Sequence, residues 1–345
     1  MVLRVGIVGC GGISHAHVRG WNKIPEKAKV VAVADVNPES ARIVSDLVGG
    51  AEIHTDYREL MKRGDIDVID VCLPHHLHKV AIVAAAEAGK HVMCEKPLCL
   101  SLSEAAEIRR TVERTGVTFM SAHNQVFMPT VVEAKRLLGE GILGQIYKVY
   151  SSDCFVHPQN NLSDEEKRTI GQTWRSRKET MGGGELIDTG YHPTYRLLYL
   201  AGSEPVSVFA QTARFRMHHW QEEDTAEVML RFADGAFGHI VTSWAMPNLL
   251  GPYYFSVVGE RGQIYATADT LYLAMNGQTD PEVRKFQTVD TFAAEVEHLA
   301  DILAAGMPPV QSLPDATRVL EVILGAYRSV EEKRMVSLEA ATARS

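Results

Sequence analysis

Two short stretches of this chain carry residue types able to move protons at a carbon bearing a hydroxyl. In the first, Glu95-Lys96-Pro97 directly follows an apolar, strand-like run. Ligands of parallel sheets bind at the carboxyl ends of the strands. An ammonium emerging there among apolar neighbours can polarise or orient a substrate hydroxyl. A surface lysine in a loop is the other reading of this tripeptide taken alone. The second stretch is Gly182-Gly-Gly-Glu-Leu-Ile-Asp188-Thr-Gly190-Tyr-His192. On a helix, Asp188 and His192 share one face. A carboxylate beside an imidazole selects one tautomer and stabilises the protonated ring, which suits a base that removes a hydroxyl proton. Gly190 is expected to let substrate or cofactor approach closely, and Pro193 to kink the helix just after the histidine. An ordinary Asp–His pair on a helix surface has the same spacing.

A third stretch binds rather than reacts. Gly9-Cys10-Gly11-Gly12-Ile13-Ser14 lies between a predicted first strand and a predicted first helix. Gly9 allows the tight turn and Gly11 a close approach of backbone to a pyrophosphate, with the helix N-terminus supplying N–H groups. Ser14 stands where glycine or alanine is usual. Asp35 ends the second strand, where a carboxylate accepts hydrogen bonds from an adenosine ribose and repels a 2′-phosphate. Val36 follows it, not a basic residue or serine, so NAD is expected over NADP, although Arg42 is near in sequence.

These groups need elements to hold them. The first 123 residues alternate β-branched runs (5–8, 30–34, 68–73, 91–94 and 117–122) with helical patterns, as parallel βαβ units do. A helix over 79–88 stops at Gly89, and Ser101-Leu-Ser-Glu104 has the spacing of a capping box. From residue 124 the rhythm changes. A helix from Pro129 to about Gly139 and a strand over 146–151 precede a polar stretch, 157–173, expected to be a long surface loop. Six strands are predicted over 206–215, 226–232, 237–244, 253–258, 263–266 and 271–274, with Asp234-Gly235 as a hairpin turn. Helices over 291–305 and 314–331 follow. The expectation is an α/β domain over 1–123 and an α+β domain over 124–345, the latter built on a large open, mostly antiparallel sheet. Residues 1–9 read as a strand, not a signal peptide.

The 345 residues carry a net charge of −8, from 43 acidic and 35 basic side chains without a basic cluster. A nucleic-acid surface wants clustered Lys and Arg, and no run of about 20 residues is apolar enough to span a membrane, so neither partner is expected. Five cysteines without a paired motif fit reduced thiols in a cytoplasm. His75, His76 and His78 suggest a metal cluster, but no second ligand set has metal spacing, so no metal is expected. His218 and His219 read as an exposed strand end, and Cys94 and Cys99 as inert buried thiols.

In order and spacing the motifs resemble those of the Gfo/Idh/MocA oxidoreductases, the glucose–fructose oxidoreductase and inositol dehydrogenase relatives. The glycine loop, Asp35, Leu73-Pro74-His75-His76-Leu-His78, Glu95-Lys96-Pro97, Trp174-Arg175 and Asp188-Thr-Gly190-Tyr-His192 carry the resemblance, which covers essentially the whole chain. It implies an N-terminal Rossmann domain, doubly wound on a parallel sheet, and a second domain whose open sheet forms homodimers or homotetramers. It implies a hydride transfer between a secondary alcohol of a sugar, sugar derivative or inositol-like polyol and nicotinamide. Lys96, Asp188 and His192 fall on the family's catalytic positions, with Lys96 orienting the oxygen, His192 taking the proton, and Asp188 tuning His192. The cofactor positions include Gly9, Gly11, Gly12, Ile13 and Ser14 in the loop and Asp35 with Val36 at the ribose. Leu73, Pro74, His75 and His78, then Glu95, Lys96 and Asn124, follow along the sheet edge. Trp174 and Arg175 either close over the site or anchor a loop. Three departures, His75 for Asn, Val126 for Arg and Tyr195 for Asp, bear on the substrate. An NAD-retaining glycosidase and a non-catalytic NAD-binding regulator are the alternatives within the same resemblance.

Overall fold

The computed structural model describes residues 2–248 and 251–338. Two compact units divide the chain, one of Met1–Asn124 with Asp290–Thr317, the other of Gln125–Val289 with Arg318–Ser345. The last seven residues of the expected second domain lie outside the described ones.

The first unit alternates strands and helices in chain order: β1 (Leu3–Val8), α1 (Ser14–Trp21), β2 (Ala28–Ala34), α2 (Pro38–Leu47), β3 (Glu52–His54), α3 (Arg58–Met61), β4 (Val68–Val71), α4 (His78–Glu87), β5 (His91–Glu95), α5 (Leu102–Thr115) and β6 (Phe119–Ala122). The six strands pair in parallel in the order β3-β2-β1-β4-β5-β6. The order reverses between β1 and β4, where loops at the carboxyl ends part and open a crevice. Central strands are buried on both faces, so Val5, Ile7, Val33 and Met93 read as continuous apolar runs. Ser101 caps α5, its Oγ accepting the Glu104 N–H at 3.2 Å, but Glu104 reaches back to the Leu100 N–H at 2.9 Å, one residue short of the reciprocal bond of a capping box. The edge strand β3, three residues long and half exposed, has no apolar run to announce it.

The second unit contains α6 (Pro129–Gly139), β7 (Ile146–Cys154), α7 (Asp164–Ile170), α8 (Lys178–Met181), α9 (Glu185–Asp188), α10 (Tyr191–Ala201), β8 (Pro205–Ala213), β9 (Thr225–Phe232), β10 (Phe237–Ser243), β11 (Phe255–Gly259), β12 (Gly262–Ala266), β13 (Thr270–Met275) and β14 (Glu282–Lys285). After α11 (Thr291–Ala305) and α12 (Leu313–Glu332), β15 (Val336–Ser337) completes a nine-stranded sheet of order β14-β13-β12-β11-β7-β10-β9-β8-β15. It is antiparallel except where β10 lies parallel to β7. Along β9 burial alternates strictly, Val228, Leu230 and Phe232 inward and Glu227, Met229 and Arg231 outward, the mark of a sheet with one covered face. Helices α10 and α6 cover that face.

Two expectations change. The stretch 157–173 is not a plain loop: it holds α7, started by a capping box in which Ser163 and Glu166 bond reciprocally. A single cut at residue 123 also leaves out Asp290–Thr317. There α11 buries Val296, Leu299 and Ile302 in one apolar cluster with Val5, Val18 and Trp21. Gly20 on α1 permits this contact, since a Cβ there would meet the Phe292 carbonyl at 2.9 Å.

Candidate active site

In the first unit the glycine loop is shaped from both sides. Gly9 has φ +94°, and a Cβ on it would lie 2.5 Å from the Cys72 carbonyl oxygen, so glycine alone lets the ends of β1 and β4 pass. A Cβ on Gly11 or Gly12 would meet nothing within 4 Å, which leaves an open cradle on the loop's outer side. Ile13 is the residue before α1 and accepts the Ala16 N–H at 2.9 Å. Ser14 is fully buried, and its hydroxyl donates to the Gly11 carbonyl at 2.6 Å. The serine therefore closes the loop with a bond that glycine or alanine could not make. Asp35 accepts the Cys10 N–H through one oxygen and the Asn37 N–H through the other, each at 2.7 Å. A carboxylate has about four lone-pair positions, so about two remain for a ribose. Val36 is 89% exposed beside it. Arg42 is committed to Glu39 and Asp46 on its own helix, which removes the sequence doubt it raised. The open cradle, the helix N-terminus and the acid with spare acceptors fit a dinucleotide.

Further along the same sheet edge, Lys96 is half-buried and its neighbours on both sides are pinned. Glu95 accepts the Lys96 N–H at 3.1 Å through one oxygen, and its other oxygen lies 2.9 Å from His17 Nε2. His17 is fully buried on α1, with its Nδ1 2.9 and 3.0 Å from the two Asp70 oxygens. Burial alone would discharge this ring, but the Asp70 carboxylate outweighs it and holds the imidazole well above its ordinary range. On the other side, His78 has Nδ1 2.7 Å from the Pro97 carbonyl and Nε2 2.8 Å from the Leu73 carbonyl. Both ring nitrogens of His78 thus face backbone oxygens, one of which accepts the single N–H of the neutral ring, and burial lowers its pKa. It staples Leu73-Pro74 to Pro97 and presents no ring nitrogen to a cofactor, which corrects the role expected for it. His75 is buried with its ring 5.8 Å from that of His78. Asn124 donates its amide to Thr291 Oγ at 2.7 Å, tying β6 to α11. His17, Asp70 and Cys72 place ligand-type atoms within 4.8 Å of one another. Those of His17 and Asp70 are already bound to each other, and burial pushes the Cys72 thiol up to about 12, so the group is a hydrogen-bonded core. Cys94 and Cys99 are buried, with thiols that burial raises in the same way.

In the second unit, the glycine triplet threads between Glu223 and Tyr327: a Cβ on Gly184 would lie 2.1 Å from the Glu223 carbonyl oxygen. Asp188 closes α9 and forms an ion pair with Arg175, whose guanidinium also lies 4.7 Å from the Trp174 ring centre. Arg175 thus anchors the Trp174 turn and supplies Asp188 with a cation that spacing did not reveal. His192, half-buried, stands in the first turn of α10. Asp188 and His192 belong to consecutive short helices, not one. The break at Thr189–Gly190 is a packing device, because a Cβ on Gly190 would meet the Leu186 carbonyl oxygen at 2.6 Å and Thr242 Cγ2 at 2.9 Å. Gly190 therefore faces protein, not ligand. Pro193 sits in the first turn of α10, where no intrahelical N–H bond is lost, and the helix runs on unbroken to Ala201.

Several residues escaped the sequence reading. Trp244 donates its indole N–H to Thr189 Oγ at 2.8 Å and packs 5.3 Å from the His157 ring. His157 Nδ1 accepts the Gln159 N–H at 3.2 Å, so the neutral ring carries its proton on Nε2, and burial lowers its pKa. Asp188 and Arg175 are both close enough to act on that titration. Trp220 is buried against Trp244 in the turn after β8, whereas His218 is exposed, so the segment is a turn with one anchored end and not a strand end. Glu185, fully buried, accepts the Thr242 hydroxyl at 2.5 Å, and burial raises its pKa well above the ordinary carboxylate range. All three departures, His75, Val126 and Tyr195, are buried.

A parallel sheet with an open glycine cradle, an acid at the end of β2 and a lysine at the end of β5, joined to a unit built on a large mixed sheet, defines an NAD-dependent oxidoreductase. The chain belongs to the Gfo/Idh/MocA family. Residues 3–123 match its oxidoreductase domain with NAD-binding Rossmann fold, and residues 131–265 match the GFO/IDH/MocA C-terminal domain. It is similar to myo-inositol 2-dehydrogenase of Thermotoga maritima, 26% identical over 98% of this chain and 99% of that one. Levoglucosan dehydrogenase of Pseudarthrobacter phenanthrenivorans is 28% identical over 84% of this chain and 80% of its own. A solved levoglucosan dehydrogenase, in complex with NADH and levoglucosan, shares the fold with a TM-score of 0.90 at 23% identity, over 99% of this chain and 100% of that one.

Proposed function

We propose that this enzyme oxidises a secondary alcohol of a sugar, a sugar derivative or a cyclic polyol of the inositol kind, with NAD as oxidant. The carrying observation is the Asp188–Arg175 ion pair, set among the rings of Trp174, His157 and Trp244 in the segment that leads into His192. A carboxylate, a guanidinium fork and aromatic faces together suit a ring bearing several hydroxyls. NAD, when bound, takes up the hydride from the alcohol carbon. Lys96 holds and polarises the reacting oxygen through Nζ, and His192 takes the hydroxyl proton. Asp188 accepts, and Arg175 donates to, other hydroxyls of the ring. The glycine cradle and Asp35 hold the cofactor's pyrophosphate and ribose. Inositol and levoglucosan dehydrogenases among the relatives, matched over most of their length, support the substrate class.

The experiment is a panel of inositols, anhydrosugars and aldoses with NAD and NADP, read by absorbance of the reduced nicotinamide. His192→Ala is expected to lower kcat by roughly 10²–10⁴-fold, the usual worth of a positioned general base. Unchanged turnover in that variant, or glycoside cleavage without net NADH, overturns the reading.

We also propose a homodimer or homotetramer formed through the outer face of the nine-stranded sheet. Met229 on β9 and Phe237 on β10 are 53% and 57% exposed. Sedimentation velocity tests this, and a monomer at micromolar concentration refutes it. The cysteines are free thiols, which supports a reducing compartment such as the cytoplasm. Among the described residues no helix is long and apolar enough to cross a membrane.

A further inference from the structure

We infer that His17 is a positioning residue for Lys96, holding the reactive lysine's backbone through Glu95 and fixing it to the helix that carries the glycine loop. The inference rests on the reading of Lys96 as catalytic.

Each ring nitrogen of His17 faces a carboxylate, Asp70 on β4 and Glu95 on β5, and the Cys72 thiol lies beside the Asp70 edge. Two carboxylates on opposite edges of one imidazole favour both N–H groups, that is, the imidazolium, because a neutral ring donates to only one of them. The other bonds agree with this count. The Trp21 indole N–H donates to Asp70 Oδ2 at 2.8 Å, and the Lys96 N–H donates to Glu95 Oε2. One imidazole thus bridges two carboxylates inside a core where His17 and Asp70 are wholly shielded from water.

Stability does not explain such an arrangement. Replacing a buried ion bridge by well-packed apolar residues is often neutral or stabilising, whereas its geometry is specific. The specificity here is spent at one place. Glu95 is the last residue of β5, and its two oxygens divide between His17 and the next amide, that of Lys96. That amide direction sets where the lysine side chain leaves the sheet. His17 in turn lies one helical turn beyond Ser14, whose hydroxyl closes the glycine loop on Gly11. A single helix therefore carries the groups that fix both the cofactor loop and the lysine.

The test is a double-mutant cycle on the full-length enzyme with saturating NAD, each variant assayed well below its own melting temperature. His17→Gln can reach one carboxylate but not both, and Glu95→Gln keeps the shape while turning one acceptor into a donor. Each is expected to lower kcat by roughly 10–100-fold with little change in KM, as misplacement of a reacting group does. In a Lys96→Met background, followed in single turnover so that slow rates are still read, neither is expected to lower the rate further. A core histidine with only a structural role would lower the melting temperature, and any loss of rate would multiply with that of Lys96→Met. Unchanged kcat in both folded variants, or a fully multiplicative loss, overturns the inference. Wild-type turnover in Lys96→Met alone overturns the catalytic reading of Lys96 instead, and the inference with it. Because Glu95→Gln alters the same bridge from the other end, failure of His17→Gln to fold leaves the cycle intact.

Discussion

Replacing Asp35 by alanine should weaken NAD and shift the enzyme's preference toward NADP. The carboxylate has two tasks that the geometry separates. Its two oxygens each hold one backbone N–H of the cofactor crevice, those of Cys10 and Asn37 at 2.7 Å. Its remaining lone pairs are available to the ribose hydroxyls. Charge-assisted hydrogen bonds are worth about 1.5–3 kcal/mol each. The two backbone bonds are partly open to water, so their loss falls at the lower end and loosens the glycine loop. With one or two ribose bonds also lost, NAD binding should weaken by about 2–4 kcal/mol, or roughly 30–1000-fold. NADP loses the same loop support but is relieved of repulsion between a carboxylate and its 2′-phosphate. At about 4 Å and an effective dielectric of 20, that repulsion is on the order of 4 kcal/mol per pair of unit charges before salt screening. The ratio of Kd for NAD to Kd for NADP should therefore rise by at least tenfold, read by nucleotide fluorescence titration at two salt concentrations. The rise should shrink as salt is raised. An unchanged ratio at low salt, in a folded variant, would refute the assignment of Asp35 to the ribose.

Two further outcomes follow from packing and from burial. Gly190→Ala should destabilise by about 3 kcal/mol, the upper end for overpacking, because its Cβ would press on the Leu186 backbone at 2.6 Å as well as on Thr242. Urea unfolding measures this, and an unchanged midpoint contradicts the close approach. Glu223 is raised from 4.5 to about 7, chiefly by burial and against hydrogen bonds from Tyr327 and Leu186. The native state holds this proton more tightly than the unfolded chain. The contribution is therefore full below about pH 4.5 and is lost as pH rises through about 7, a change of about 3 kcal/mol at 1.36 kcal/mol per unit. Glu223→Gln keeps an oxygen for Tyr327 and Leu186. The wild-type melting temperature should fall relative to this variant between pH 5 and 8, and parallel curves would show that Glu223 does not titrate there.

What the sequence disclosed and what it hid divide along a physical line. The glycine loop with Asp35, the lysine after β5 and the Asp188–His192 segment are local patterns, in which a turn, a strand end and a helical spacing occupy adjacent residues. So are the helix starts at Ser101 and Ser163, although the second went unread because α7 is short and polar all round. Strands β3, β14 and β15 have two to four residues each and little apolar alternation, so only their neighbours in the sheet define them. The return of α11 to the first unit is likewise invisible locally. Its apolar face would suit any core, and it is Gly20, far away in sequence, that admits it.

Histidine shows why the site resisted further than the fold. The chain has 14 histidines, and their types are identical until partners are known. His17 faces carboxylates 53 and 78 residues away, and the Asp70 carboxylate raises its pKa against the effect of burial. His78 lies between two backbone carbonyls and acts as a staple. The backbone N–H two residues on decides the tautomer of His157 and leaves its Nε2 the proton. A pattern of residue types fixes which side chains can do chemistry, but protonation is a property of the surroundings. Those surroundings are assembled from the ends of β4, β5 and α1 in one unit and from β7, α9 and β10 in the other. Sequence reading therefore singled out Lys96, Asp188 and His192 as candidates, because their motifs are contiguous. It misjudged His78 and Gly190, whose roles lie in backbone and strand packing, and it passed over His17, whose partners come from distant strands.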